Sequence, residues 1–278
     1  MTTFKIGRTT GGLLKIGYGS TSKIVGVVPQ IVTSGLVLLL DAGDQASYPG
    51  SGTTWTDLSG NGNNGTLTSG PTYSSEDGGS LVFDGVDDYV TNNSTEFSIA
   101  NNLFADAIGS WTVSAWFKFP VSPTQSRSDA LQAGNCSYSI FGRSGGIATG
   151  ATFTLFVAGT STAFGTNTNK CVATIRGVNT AISNTLVNTN DWYNAVVTWD
   201  GVTAYGYLNA SSPTTLTVGT ATVQEHNIDI GTTSSLSVPS GGIHNFEGNI
   251  SQVSVYNRAL SEAEITQNFN ELRSIYGV

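Results

Sequence analysis

The stretch WTVSAWFKF, residues 111–119, alternates with period two. Trp111, Val113, Ala115, Phe117 and Phe119 fall on one face, and Thr112, Ser114, Trp116 and Lys118 on the other. Side chains that alternate sides belong to a β-strand, and an apolar face opposed by a more polar one suits an antiparallel sheet that covers a core. The same texture recurs in both directions. GLVLLLDAG (35–43), SLVFDGVDDYV (80–90), SYSIFG (137–142), TFTLFVAG (152–159), WYNAVVTWDG (192–201), AYGYLNA (204–210), NIDIG (227–231) and FEGNISQVSVYN (246–257) are short apolar runs between turn residues. Their spacing is that of an antiparallel sandwich. LSGNGNNGTL (58–67) is a loop, with Asn-Gly steps that favour positive φ. The polar connection from Pro120 to Asn135 is longer and expected to be exposed.

Composition agrees. The 278 residues hold 34 glycines and are only 11% charged, against about 25% in ordinary domains. Such a chain is poor in helix formers. Five Trp, ten Tyr and twelve Phe are enough to fill a core, so an acidic disordered chain is excluded. No apolar run approaches a membrane span; the longest, Leu36 to Leu40, has the length of a strand. The N-terminus shows no secretory leader pattern.

Charge divides the chain. Residues 1–40 carry Lys5, Arg8, Lys15 and Lys23 and no acid, so taking their +4 from the net −8 leaves −12 on the remainder. A protein so acidic is not expected to bind nucleic acid. Residues 1–34 read as a basic arm, extended or in short strands (FKIG, LLKIGYG, KIVGVVPQIV). Its apolar residues suit it to ordering against an acidic neighbour, and residues 35–278 form the folded domain. Lys5, Arg8, Lys15 and Lys23 are the expected partner contacts, and self-association into a homo-oligomer is compatible with this layout.

The C-terminus breaks the β pattern. Ser261 with Glu264 makes a capping box, Ile265, Phe269, Leu272 and Tyr276 recur as one apolar stripe, and Gly277 is a stop. This predicts an amphipathic helix over 261–276 laid on the sandwich.

The blocks GLVLLLDAG, WTDLSGNGNNGTL, SLVFDGVDDYV, WTVSAWFKF, WYNAVVTWDG and GNISQVSVYNRALSEAEITQNFNELRSIYG, in that order, resemble the laminin-G-like, concanavalin A-like jelly-roll family. VYNRALSEAEI (255–265) is the most specific element, and the extension QNFNELRSIYG (267–277) is similar to versions found in bacteriophage, and especially cyanophage, virion proteins. The resemblance implies an all-β, two-sheet antiparallel jelly-roll sandwich with one C-terminal helix. It implies a family that includes glycan-binding modules, adhesion domains, some hydrolases and phage surface proteins. Fold alone does not choose among these.

Hydrolysis of a glycoside needs two carboxylates facing one bond, about 5 to 9.5 Å apart. Hydrolases of this fold carry Glu-x-Asp-x-x-Glu, which is missing here; Glu225 with Asp229 is the nearest approach. His226 and His244 have no nucleophile motif around them. The chain reads as non-enzymatic.

Asp84, Asp87 and Asp88 crowd one turn and offer the hard oxygens that Ca²⁺ takes; the alternative is plain Asp-Gly turn chemistry. Many relatives carry an Asp-Glu pair where this chain reads Ile250-Ser251-Gln252, so no carboxylate is available for a metal on that side. Glycan platforms need exposed aromatic rings. Trp55, beside the Asn-rich loop, and Trp116, opposite the core face of its strand, are the candidates, although a Trp before a Gly-rich loop, as Trp55 is, more often anchors that loop. Cys136 and Cys171 either form one bridge or remain free thiols. With no coiled-coil shaft or internal repeat, the expected role is that of a virion structural protein on the phage particle surface. It would be a capsid decoration (cement) protein docked on other virion proteins through its arm. The alternative is a tail, fibre or adhesion module binding host-surface glycans.

Overall fold

The computed structural model describes residues 13–16, 23–27, 30–92, 109–119, 137–143, 153–158, 166–167, 169–188, 190–220, 228–232 and 245–278. In chain order the strands are β1 (Leu13–Ile16), β2 (Lys23–Val27), β3 (Leu36–Asp41), β4 (Thr54–Trp55), β5 (Gly65–Thr68) and β6 (Thr72–Ser74). A 3-10 turn at Glu76–Gly78 precedes β7 (Ser80–Asp84), β8 (Tyr89–Asn92), β9 (Trp111–Lys118), β10 (Ser137–Arg143), β11 (Phe153–Ala158) and β12 (Lys170–Ile175). Then come β13 (Val178–Leu186), β14 (Trp192–Trp199), β15 (Ala204–Leu208), β16 (Thr214–Leu216), β17 (Ile228–Ile230) and β18 (Glu247–Tyr256), and helix α1 (Glu262–Tyr276).

Two antiparallel sheets face each other. One runs β16-β15-β14-β9-β18-β7-β6 with β3 also paired to β18, and the other runs β13-β12-β11-β10-β17-β8-β5-β4. The ten-residue β18 is the keystone of the first. Along one side it pairs with β9; along the other it pairs with β7 in its first half and β3 in its second. β1 and β2 pair in a two-stranded sheet of their own.

The core between the sheets is built from the alternation visible in the sequence. Val113, Ala115, Phe117, Val197 and Ile250 from one sheet meet Phe141, Phe153, Leu155, Val157 and Ala173 from the other. The second face of β9 departs from expectation, because Thr112, Ser114 and Trp116 are buried as well and only Lys118 is half-buried. Thr112 donates to the Arg258 carbonyl and accepts from the Leu260 N–H, and Ser114 accepts from Asn194. The reason is α1, which covers that face.

Helix α1 forms as its sequence dictates. The Ser261 hydroxyl and the Glu264 carboxylate make the reciprocal capping box, and Gly277 closes the helix in the left-handed region at φ 73°. Its buried stripe is Ile265, Phe269, Leu272 and Tyr276. Phe269, Leu272 and Tyr276 pack with Trp116 and Trp192, and Ile265 packs with Val196, Tyr207, Tyr256 and Leu260.

The stretch Gln30–Ser34, assigned by sequence to the arm, is tied to this helix and to the segment just before it. The Gln267 side chain donates to the Gln30 carbonyl at 2.7 Å. The Val32 N–H donates to Asn268 Oδ1 at 2.8 Å, and Arg258 Nε donates to the Ser34 carbonyl at 2.9 Å. Val32 also packs on the Tyr256–Ile265 cluster. Among the described residues no helix is long and apolar enough to cross a membrane.

Candidate functional site

The turn between β7 and β8 brings the three predicted carboxylates together. Asp84 Oδ1 accepts from the N–H groups of Val86 (2.7 Å) and Asp87 (3.4 Å), and Asp88 Oδ2 accepts from the Asp84 N–H at 2.9 Å. One oxygen from each of Asp84, Asp87 and Asp88 can be chosen so that all lie within 4.8 Å of one another. Asp84 and Asp87 are exposed, whereas Asp88 is buried. Burial, reinforced by the neighbouring charges of Asp84 and Asp87, pushes the Asp88 carboxyl above the usual carboxylate range. The turn is braced from outside: Asn245 donates to the Val86 carbonyl, and Thr232 donates to Asn245 Oδ1 at 2.6 Å. Glu247 stands opposite Asp84 in the β18–β7 ladder. A hard divalent cation such as Ca²⁺ fits this donor set, because three carboxylates from one loop and a buried member that resists ionising alone are what such an ion relieves.

The two tryptophans proposed as glycan platforms do not serve as such. Trp55 is fully buried in the main core. It anchors the loop that follows, whose organiser is Asp57. That buried carboxylate accepts from the N–H groups of Leu39, Ser59 and Asn63 and from the Ser59 hydroxyl. Trp116 is buried beneath α1, stacked on Phe269 and Tyr276. Neither indole presents a face to solvent. The signal for Trp116 was already in the sequence, since a stripe of four large apolar residues on the helix needs an apolar surface to cover.

On the departing motif of β18, Gln252 Nε2 donates to Asp41 Oδ2 at 2.9 Å. Ser251 is held by a donated bond to the Gly79 carbonyl and one accepted from the Tyr276 hydroxyl. An amide thus stands against the buried Asp41 carboxylate.

Of the arm cations, Lys15 and Lys23 lie on β1 and β2, while Lys5 and Arg8 fall outside the described residues. Glu225, His226, His244, Cys136 and the Pro120–Asn135 connection fall outside them too. Asp229 is buried in β17. Cys171 is a free, buried thiol whose pKa burial drives upward.

Among curated proteins none matches. In fold the chain is similar to the sialidase of Trypanosoma rangeli in complex with sialic acid, with a TM-score of 0.57 and 17% identity over 90% of this chain and 34% of that one. The same sialidase with 2,3-difluorosialic acid gives a TM-score of 0.59 and 16% identity over 90% and 34%. The botulinum neurotoxin type G receptor binding domain gives 0.53 and 14% over 85% and 51%. The chain therefore spans about a third of the sialidase and half of the neurotoxin domain, and likeness at these identities is one of fold. A laminin G-type family model, described as concanavalin A-like lectin/glucanases superfamily, matches residues 84–266, from the acidic turn into α1. The chain belongs to the concanavalin A-like lectin/glucanases superfamily.

Proposed function

We propose that this chain is a non-enzymatic structural protein of a phage particle, a decoration protein that sets its jelly roll on the shell through the basic N-terminal arm. The observation that carries the proposal is the junction at Gln30–Ser34. The root of the arm is fixed by Gln267 and Asn268 of α1 and by Arg258 just before it, while the cations Lys5, Arg8, Lys15 and Lys23 precede it and the net −12 follows it. A positively charged segment with a rigid root suits capture by an acidic shell protein. Exposed ion pairs contribute little each, so the apolar residues of the arm supply much of the attachment. The resemblance of the extension QNFNELRSIYG, residues 267–277, to phage virion proteins supports the assignment to a virion.

Particles stripped of the native protein, then offered the full chain or a full chain with Lys5, Arg8, Lys15 and Lys23 all changed to Gln, test it. The unaltered chain should rebind with salt-sensitive affinity, and the altered one should remain folded and fail to rebind. Equal rebinding would overturn the arm as the attachment device. A truncated chain beginning at Gln30, which keeps the contacts with α1, should fold.

A second reading, an adhesion module that binds host-surface glycans, is favoured by the fold neighbours, whose names give a sialic acid complex and a receptor binding domain. In this reading Asp84, Asp87 and Asp88 hold Ca²⁺ at the rim of the sandwich. Glycan-array binding by the full chain, with and without a chelator, tests it.

A further inference from the structure

Two Asn-Gly steps, Asn61-Gly62 and Asn64-Gly65, follow each other closely between β4 and β5. An asparagine before a glycine carries its own electrophile. The backbone nitrogen of the next residue can attack the side-chain carbonyl carbon, and glycine has no Cβ to obstruct the approach. The two steps are chemically alike. The fold treats them differently.

At the second step both reacting groups are tied. Gly65 is buried and stands opposite Trp55 in the β4–β5 ladder. The Leu67 N–H donates to the Thr53 carbonyl at 2.7 Å, and the alternation of an antiparallel ladder commits the Gly65 N–H to Trp55 in the same way. The backbone there is also close-packed, since a Cβ on Gly65 would lie 2.6 Å from Val90 Cγ1. Asn64 is exposed, but its Oδ1 accepts from the Asp57 N–H at 2.9 Å. Ring closure at Asn64 therefore requires the start of β5 to open.

At the first step nothing of that kind stands in the way. Asn61 and Gly62 are both exposed. Gly62 has φ 75° and open space around the position of a Cβ, and among the described residues no group accepts from its N–H. Asn61 Nδ2 donates to Ser59 Oγ at 2.9 Å and to the Leu36 carbonyl at 3.3 Å. Both bonds lie at the surface, where water replaces them at little cost.

We propose that Asn61 is a self-modification site, deamidated in the folded protein while Asn64 is spared. The Gly62 nitrogen bonds to Asn61 Cγ, the Cγ–Nδ2 bond breaks, and Nδ2 departs as ammonia with the proton from the Gly62 amide. Water then opens the cyclic imide at either carbonyl, which gives aspartate or isoaspartate at position 61. No oxidant or reductant is consumed. The product loses the two Nδ2 bonds and sets a carboxylate where a donor faced the Leu36 carbonyl. Leu36 adjoins the root of the arm, its N–H bonded to the Thr33 carbonyl at 3.1 Å. Modification thus loosens the loop where it is tied to the start of β3.

The test ages the full chain at mildly alkaline pH, folded and in urea, and follows conversion of amide to acid at each site by peptide mapping and mass spectrometry. In the folded chain Asn61 should convert at least about tenfold faster than Asn64, and in urea the two should convert at similar rates. Equal rates in the folded chain overturn the proposal. A lead of Asn61 that persists undiminished in urea overturns it too, because sequence neighbours and not the fold would then select the site. Asn61→Gln, whose longer side chain disfavours ring closure, should stop acid formation at position 61; continued formation in that peptide places the reactive amide elsewhere. The converted chain, separated by its added negative charge, should exchange the amides of Ser59 and Asn63 about tenfold faster than the unaltered chain, with β9 unchanged. Unaltered exchange in the loop overturns the loosening.

Discussion

The ring of Phe269 lies parallel to the indole of Trp116, with centroids 5.5 Å apart and 5° between the planes. Tyr276 stacks on the same indole at 4.3 Å, so one tryptophan on the sheet receives two members of the helix stripe, those on either side of Leu272. Phe269→Ala should cost about 3 to 4 kcal/mol in urea unfolding, from lost burial and the cavity left behind. Trp116→Ala should cost a similar amount. The double variant should fall short of the sum, because each removes the partner of the other. Additive losses would mean that the two rings do not couple.

Asp57 presents a different vulnerability. One buried carboxylate accepts four hydrogen bonds that hold the Asn-rich loop to β3. Asp57→Ala leaves buried N–H groups without acceptors and should lower stability by about 3 kcal/mol, with greater loss of amide protection at Leu39 and Asn63 than elsewhere. Uniform loss of protection would argue against a local hub.

Acid should loosen the helix cap. Arg258 grips Glu264 through both carboxylate oxygens, at 2.6 and 2.9 Å, and with the Ser261 N–H it lowers the Glu264 pKa to about 2. A carboxylate depressed in the folded state stabilises the protein fully above its unfolded value near 4.5, and that stability is lost as pH falls toward about 2. The pair is partly solvated, so Glu264→Gln should cost about 1 kcal/mol at neutral pH. It should also flatten the pH dependence of stability between those two values. A variant with the unaltered acid profile would remove Glu264 from the account.

Asp88 runs the other way. A carboxyl whose folded pKa is raised favours the folded state at low pH and opposes it as pH rises through that pKa. Asp88→Asn should therefore melt higher than the unaltered chain at neutral pH in the presence of a chelator. Added calcium should raise the melting temperature of the unaltered chain and leave that of the variant in place. A calcium response equal in both would remove Asp88 from the ligand set.

The sheet strands, the helix and its cap were legible because each depends on local periodicity: two for β9, 3.6 for the 265–276 stripe, and a three-residue spacing for Ser261 and Glu264. Trp116 was misread because alternation tells which residues share a face and not what covers that face. The cover, α1, begins about 145 residues further along the chain. For Trp55 the loop-anchor alternative is the one that holds, because Asp57 turns the polar loop back on β3 and the indole lies in the core. The arm boundary at Gly35 rested on charge, whereas the contacts of Gln30–Ser34 are made by Gln267, Asn268 and Arg258, which no local pattern connects to them.

The position of β18 has a consequence for how the protein is made. Its partners β3, β7 and β9 all emerge from the ribosome first, and in the finished sheet none of the three pairs with another across the place β18 occupies. Nascent β3, β7 and β9 must therefore wait with unfilled edges, a state open to mispairing. Contacts so distant along the chain make closure slow. The arrival of residues 247–256 converts three waiting strands into one sheet, and α1, synthesised directly afterwards, seals its outer face.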